Sequence, residues 1–379
     1  MSLFTDLSSE MIYPLVPLFL SNVLQAPVAV IGLIEGIAET TASLLKWVSG
    51  GISDRFGQRK PFVLAGYGLA AISKPLLALA YIWPVVLGAR VMDRFGKGIR
   101  NSPRDALLAD STTPEVRGRA YGFQRSGDSI GAVLGPLVAV AILTWMHQNF
   151  RAAFLIAFIP GVLSTLCILP VRDRVRERKP GRLFQWRQSG VSSRSLRWFL
   201  VATFVFGIGN SSDMFLILRA NNLGASSVTA VLMFACCNLM SVLSSYPAGV
   251  VSDRLGRKSV LIAGFLIFAG VYLGFGLAAS LSMLWPLFAV YGLYQGLTDG
   301  VAKALIVDLV NPEERGAALG LQATVTGLCT FPASLVAGFL WQEISPSAAF
   351  LYGAAGAAGA TLILAVFLAG RNPKPALAS

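Results

Sequence analysis

Histidine is almost missing from this sequence: one residue, His147, in 379. Charge is scarce as well, at 13% Asp, Glu, Lys and Arg, where a soluble domain carries about a quarter. The four cysteines (Cys167, Cys236, Cys237, Cys329) all sit in apolar stretches without metal or disulfide spacing. They read as small buried hydrophobes, and no metal or cofactor is expected. There is no H-E-x-x-H, no G-x-S-x-G and no P-loop, and "FGKG" (residues 95–98) lacks the flanking residues a phosphate loop needs. With one histidine, placed at a helix end, general-base chemistry would fall on carboxylates. An enzyme is therefore not expected.

Hydrophobic residues, by contrast, make up 55% of the chain, and mean hydropathy is +0.65. Apolar runs of about 20 residues recur throughout, each long enough to cross a bilayer as a helix. The chain reads as an all-α polytopic membrane protein. Twelve spans follow from the runs, at 2–20, 27–52, 61–82, 83–107, 118–146, 150–170, 197–220, 226–252, 259–279, 283–308, 316–341 and 346–369. Residues 171–196 form a basic linker between an N-terminal half (1–170) and a C-terminal half (197–379) that ends in a short tail. The net charge of +12 is concentrated: residues 172–197 hold nine bases against two acids, and further clusters lie at Arg55/Arg59/Lys60 and Arg254/Arg257/Lys258. Intervening loops such as 21–28 are uncharged. Alternation of basic and neutral loops is the positive-inside pattern, not a nucleic-acid footprint. It places both termini in the cytoplasm of a cell whose inner membrane holds the protein, expected as a monomer.

The two halves repeat. "GGISDRFGQRK" (50–60) parallels "GVVSDRLGRK" (249–258), and "DSTTPEVRGRAYGFQ" (110–124) parallels "DLVNPEERGAALGLQ" (308–322). "WPVVLGARVMDRFGKG" (83–98) parallels "WPLFAVYGLYQGLTDG" (285–300), and "SSEM" (8–11) returns as "SSDM" (211–214). Duplicated six-helix units are a signature of secondary transporters, whose solute site lies near the midplane. By this repeat Glu10 pairs with Asp213. Span 7 starts about fifteen residues before Asp213, whereas nine residues precede Glu10, so the first span is expected to be shortened by one to two turns.

These residues resemble the major facilitator superfamily. Its loop signature, G-x-x-x-D-R-x-G-[RK]-[RK], matches Gly50, Asp54, Arg55, Gly57, Arg59 and Lys60, with Gln58 inserted. It matches again at Gly249, Asp253, Arg254, Gly256, Arg257 and Lys258. The resemblance implies twelve transmembrane helices in two pseudo-symmetric halves, with these loops acting as gates. "RVMDRFGKG" (90–98) is similar to the span 4 motif R-x-x-Q-G-x-G, linked in the family to proton handling; Asp93 replaces Gln and Arg94 replaces Gly. Gly122, Gly131, Gly135 and Pro136 resemble the antiporter motif of drug exporters. The alternative there is ordinary small-residue helix packing.

Interior charge carries the functional information. Spans 1–5 contain Asp6, Glu10, Glu35, Glu39, Asp93 and Asp128 against Lys46, Lys74, Arg90, Arg94, Lys97 and Arg125. Each costs about 2.5–3.5 kcal/mol at a helix centre on insertion scales, so they must face one another or a wet cavity. Arg90, Asp93, Arg94 and Lys97 recur at helical spacing and form one stripe; Glu35 and Glu39 form another. Counting from the outer face places Glu35, Arg90 and Arg94 roughly 10–17 Å deep, near the midplane. The second half keeps fewer charges. Its candidate pathway residues are Asn210, Asp213, Tyr291, Tyr294, Gln295 and Asp299, joined to Gln124 and Asp128 of the first.

The expected function is secondary active transport of a small organic solute by alternating access. A proton is the expected coupling ion, with sodium open, and efflux of a drug-like or amphipathic solute by antiport is favoured. The alternative is a small organic anion clamped by Arg90, Arg94 and Lys97. A lipid scramblase or a non-transporting receptor stands as a remote reading.

Overall fold

The computed structural model describes residues 1–56, 58–171, 173, 194–311 and 314–367, and among these it contains helices and connecting turns but no strand. The first span is α1 (Ser2–Ile12), α2 (Leu15–Leu18) and a π-helical turn, Phe19–Val23. Then follow α3 (Val28–Phe56), α4 (Lys60–Ala78), α5 (Trp83–Asp110), α6 (Pro114–Trp145) and α7 (Phe150–Leu166). The seventh span is α8 (Arg194–Gly209) and α9 (Met214–Asn222). It is followed by α10 (Ser227–Leu255), α11 (Arg257–Leu277), α12 (Leu284–Leu309), α13 (Arg315–Glu343) and α14 (Pro346–Phe367). Counting broken spans once gives twelve. Among the described residues eight are apolar and long enough to cross a membrane. The four others are the first span, α5, which carries a stripe of charge, α7, which has 17 residues, and α12.

Both breaks have local causes. Pro14 has no N–H to donate to the Glu10 carbonyl, and Pro17 none for Tyr13, so the α-helical ladder of the first span is interrupted. Span 7 unwinds over 210–213, where Ser and Asn side chains compete for the backbone. Ser212 Oγ accepts from Met214 N at 3.3 Å. Beyond the breaks the outer pieces match in length, four plus five residues against nine. Both end at a left-handed residue, Gln25 (φ 51°) and Gly224 (φ 88°). That register, offset by 199, differs from the 203 of the "SSEM" match and sets Pro14, not Glu10, opposite Asp213. Glu10 lies inside α1, whereas Asp213 is the N-cap of α9. The short identity between SSEM and SSDM therefore straddles two different positions of the broken spans.

The chain divides into two compact units. Unit 1 is Met1–Leu183 with Ser212–Ala235, and unit 2 is Phe184–Ser211 with Cys236–Ser379. In unit 1, α5 packs between α3 and α4, α1 lies against α6 and α7, and α2 meets α9. Glycine makes the α5 contacts close: a Cβ on Gly66 would stand 2.6 Å from the Gly96 carbonyl oxygen, and one on Gly98 would stand 2.6 Å from Leu45 Cβ. In unit 2, α8 packs on α13 and α14, and α11 on α12 and α14. Its core is aromatic, with Phe206 stacked on Phe265 at 4.2 Å and Phe268 on Tyr272 at 4.0 Å.

Candidate functional site

In the upper part of the α5 stripe each charged side chain lies against one of opposite sign, although Arg90 Nε and Arg94 Nε make no hydrogen bond. Arg90, 1% exposed, donates from Nη2 to both oxygens of Glu35, at 2.7 and 3.0 Å. Lys74 of α4 donates to Asp93 Oδ1 at 2.6 Å, and Ser73 Oγ lies 3.5 Å from the same oxygen. Arg94 Nε is 2.8 Å from Glu39 Oε1, a close ion pair whose N–H direction misses the hydrogen-bond line. Arg94 Nη2 is 3.8 Å from Glu35 Oε1 and Arg90 Nη1 is 3.7 Å from Asp93 Oδ2, which joins the three pairs. Three carboxylates and three cations thus form one neutral cluster contributed by α3, α4 and α5. Pairing offsets the desolvation cost of burying six charges, and removing any one would leave an uncompensated partner.

Tyr13 covers this cluster. It occupies the break in span 1, and both guanidinium groups lie within cation–π range of its ring, Arg90 at 5.7 Å and Arg94 at 5.8 Å. Its ring contacts Phe234 at 5.4 Å, and its hydroxyl lies 3.4 Å from Ser212 Oγ. Glu39 is the member with an open side: its side chain is 31% exposed, against 1% for Glu35 and 4% for Asp93.

Nearer the end where α4 begins, Asp6 of α1 lies within electrostatic range of Asp128 of α6 and of Lys97, Arg100 and Arg104 of α5. Gly131 and Gly135 set that approach. A Cβ on Gly131 would lie 2.9 Å from Asp6 Cβ, and one on Gly135 would lie 2.6 Å from Glu10 Cβ. Gly122, by contrast, faces open space, and Gly127 fills the corresponding step against Leu3. Gln124 contacts Arg104, its amide oxygen accepting from Nη2 at 2.7 Å once oriented to satisfy both groups. An apolar groove of about 540 Å³ runs beside this region, walled by Leu3, Phe4, Leu107, Phe123 and Ile130, with Arg104 at its polar side.

The loop motifs make matching contacts in each unit. In unit 1, Arg59 Nη1 binds Asp110 Oδ2 at 2.9 Å, and in unit 2, Arg257 Nη1 binds Asp308 Oδ2 at 2.5 Å. These are equivalent residues of the repeat. Arg257 also reaches Asp253, at 3.8 Å, and the Ala304 carbonyl. Gly256 has φ 88° at the N-cap of α11, a conformation that an L side chain strains, which is why the motif has glycine there. Asp173 accepts from the backbone N–H of Arg59 and of Lys60, both at 2.8 Å, and so caps α4. Lys60 Nζ donates to the Leu169 carbonyl. Gly57 and the side chains at Gly50, Asp54 and Arg55 lie outside the described residues.

The pathway residues of the second half separate. Tyr291 and Tyr294 belong to the aromatic core of unit 2, 1% and 6% exposed, and contact Phe268 at 6.1 and 5.0 Å. Gln295 Oε1 accepts from Cys237 Sγ at 3.7 Å, and Asp299 is exposed. Asn210 Oδ1, in the break of span 7, is buried without a hydrogen-bond partner.

The family model described as Major Facilitator Superfamily matches residues 1–220 and 199–379. The chain belongs to this superfamily. An uncharacterized MFS-type transporter of Methanocaldococcus jannaschii is 35% identical over 363 residues, 93% of this chain and 89% of that protein. The multidrug resistance protein MdtH of Cronobacter sakazakii is 25% identical over 323 residues, covering 82% and 77%. Among solved structures, a POT family transporter in complex with 5-aminolevulinic acid superposes with TM-score 0.82 at 12% identity, over 97% and 94% of the two chains. The nucleoside transporter NupG superposes with TM-score 0.79 at 12% identity, over 97% of each. This chain is thus a membrane transporter with the superfamily's two pseudo-symmetric six-helix halves. Sequence reasoning had located Glu35, Glu39, Arg90, Asp93 and Arg94 but had not placed Lys74, Tyr13, Arg100 or Asp173 at the site. Arg100 continues the α5 stripe three residues past Lys97, and this was the available signal. Nothing local marks Tyr13 or Asp173.

Proposed function

We propose that this transporter is proton-coupled and exports a drug-like or amphipathic solute by alternating access, as a monomer in a bacterial inner membrane with both termini cytoplasmic. The carrying observation is the neutral six-charge cluster with one acid, Glu39, open on one side. Arg94 Nε lies 2.8 Å from Glu39 Oε1 while the pair is closed. A cationic solute, or a movement that draws Arg94 away, lets Glu39 exchange a proton. The gating role of Arg59–Asp110 and Arg257–Asp308 follows from the same view: each pair ties a loop to the end of a neighbouring helix and must be broken for that end to move. Similarity to a multidrug resistance protein supports export. The anion reading is weakened because Arg90 and Arg94 are already engaged by Glu35 and Glu39.

Reconstituted protein, loaded with ethidium and subjected to an imposed pH gradient, tests this. Wild type should move the dye faster than protein-free vesicles, and Glu39→Gln should abolish the dependence on the gradient. Replacing sodium with choline should change nothing. Flux that follows sodium, or that equals the protein-free rate under every gradient, overturns the proposal.

A further inference from the structure

The three ion pairs of the cluster are not equally tight. Arg90 gives two hydrogen bonds to Glu35 and Lys74 gives one to Asp93, and all four of these side chains are 1–4% exposed. Arg94 meets Glu39 through Nε at 2.8 Å without a hydrogen bond, and the Glu39 side chain is 31% exposed. This pair is held by charge alone and has one side open. Arg94 also has a second acid within reach, with Glu35 Oε1 at 3.8 Å from its Nη2. A rotation of its side chain would carry it from Glu39 toward Glu35 without stranding its charge. Arg94 is thus the cation that can yield, and Glu39 the acid that can accept another.

The place that Arg94 would leave has two walls. One is the Glu39 carboxylate. The other is Tyr13, whose ring centre lies 5.8 Å from the Arg94 guanidinium carbon. Phe234, 3% exposed, packs on that ring at 5.4 Å, and Ser212 Oγ lies 3.4 Å from its hydroxyl, so the ring is held in position. A carboxylate beside an aromatic face attracts positive charge and asks for no directed hydrogen bond. We propose that the space between Glu39 and Tyr13 is the cation subsite of the transported solute, and that the Arg94 guanidinium holds this place in the solute's stead. The walls define the class of solute: an organic cation whose charge is quaternary or delocalised, as in a tetraalkylammonium or a phenanthridinium. Such a charge is weakly hydrated and enters at small cost, as a guanidinium does, whereas a compact inorganic cation gives up more hydration than a ring face returns. Tyr13 is then a specificity-determining residue, and its ring rather than its hydroxyl meets the charge. The second half carries no copy of the subsite. By the repeat, Asn238 stands for Glu39, and Gly296 stands for Arg94 and is packed against Ser241 and Ser244.

The subsite rests on the export reading for its solute, but its test reads binding alone. Arg94→Ala vacates the place and strands Glu39, so the unfolding midpoint of the full chain in detergent should fall. Millimolar tetramethylammonium or guanidinium chloride should raise it again and saturate, where potassium chloride at equal ionic strength does not. Arg94→Ala combined with Glu39→Gln should respond to neither organic cation. A second measurement does not depend on the folding of Arg94→Ala: ethidium binding to otherwise unaltered protein, followed by fluorescence anisotropy. Tyr13→Phe should keep it, and Tyr13→Leu should weaken it about 5–30-fold, the range of a desolvated cation–π contact. Recovery with potassium as well as with organic cations, recovery that survives Glu39→Gln, or ethidium binding indifferent to Tyr13→Leu overturns the subsite. If binding behaves as expected but ethidium flux ignores the pH gradient, the proton-coupled reading fails while the subsite stands. If flux follows the gradient while Tyr13→Leu binds ethidium like wild type, the subsite alone fails.

Discussion

Lys74 shows how the site is balanced residue by residue. Without it, Asp93 would keep one ion pair, to Arg90 at 3.7 Å, and the Ser73 hydroxyl at 3.5 Å. Lys74→Met should therefore lower stability by about 3–5 kcal/mol, the usual cost of stranding a buried charge. The double change Lys74→Met with Asp93→Leu should recover most of that loss, since no charge is then left alone. Thermal unfolding of the purified protein in detergent, arranged as a double-mutant cycle, measures both. A double variant no more stable than the single would mean that Lys74 acts through packing. At this scale the sequence showed which residues share a helix face, because Arg90, Asp93 and Arg94 are separated by three or four positions. It did not show partners. Arg90 and Glu35 are 55 residues apart, and Lys74 and Asp93 are 19 apart, on helices whose mutual rotation no local pattern specifies.

Among the elements, α1 and α6 have the most exacting contact. The glycine pattern of α6 was visible as a family resemblance, but what it serves became clear only from the neighbour it meets. Gly131 and Gly135 admit the backbone of α1 at Asp6 and Glu10, while Gly122 meets nothing. Gly135→Val should force α1 outward, lowering the unfolding midpoint and transport together. Gly122→Ala should leave transport unchanged and stabilise by up to about 1 kcal/mol, the helix-propensity difference between the two residues. Thermal unfolding beside dye flux separates the two, and equal effects from both substitutions would contradict the packing account. The breaks in spans 1 and 7 were half visible. Pro14 and Pro17 announce the first, but the repeat register inferred from four letters, SSEM and SSDM, crossed both breaks and misaligned Glu10 with Asp213.

For the whole molecule the testable matter is orientation. In a background with the four cysteines replaced, cysteines placed at Gln25 and His147 should react with a membrane-impermeant maleimide added to intact cells. Cysteines at Gln58 and Ser111 should react only after permeabilisation. The reverse pattern would invert the proposed topology. The sequence by itself determined that the chain crosses a membrane many times, that it is duplicated, and which family it belongs to. Apolar run length, charge asymmetry of loops and repeated motifs are local or additive quantities, and a linear string records them in full. The tertiary structure alone decided that Arg90 and Arg94 are engaged by Glu35 and Glu39. It also decided that Tyr291 and Tyr294 are packed in an aromatic core, and that Asp128 Oδ1 is buried without a hydrogen-bond partner. Whether a buried charge is neutralised depends on distances of a few ångströms between helices far apart in sequence, and only packing sets those distances.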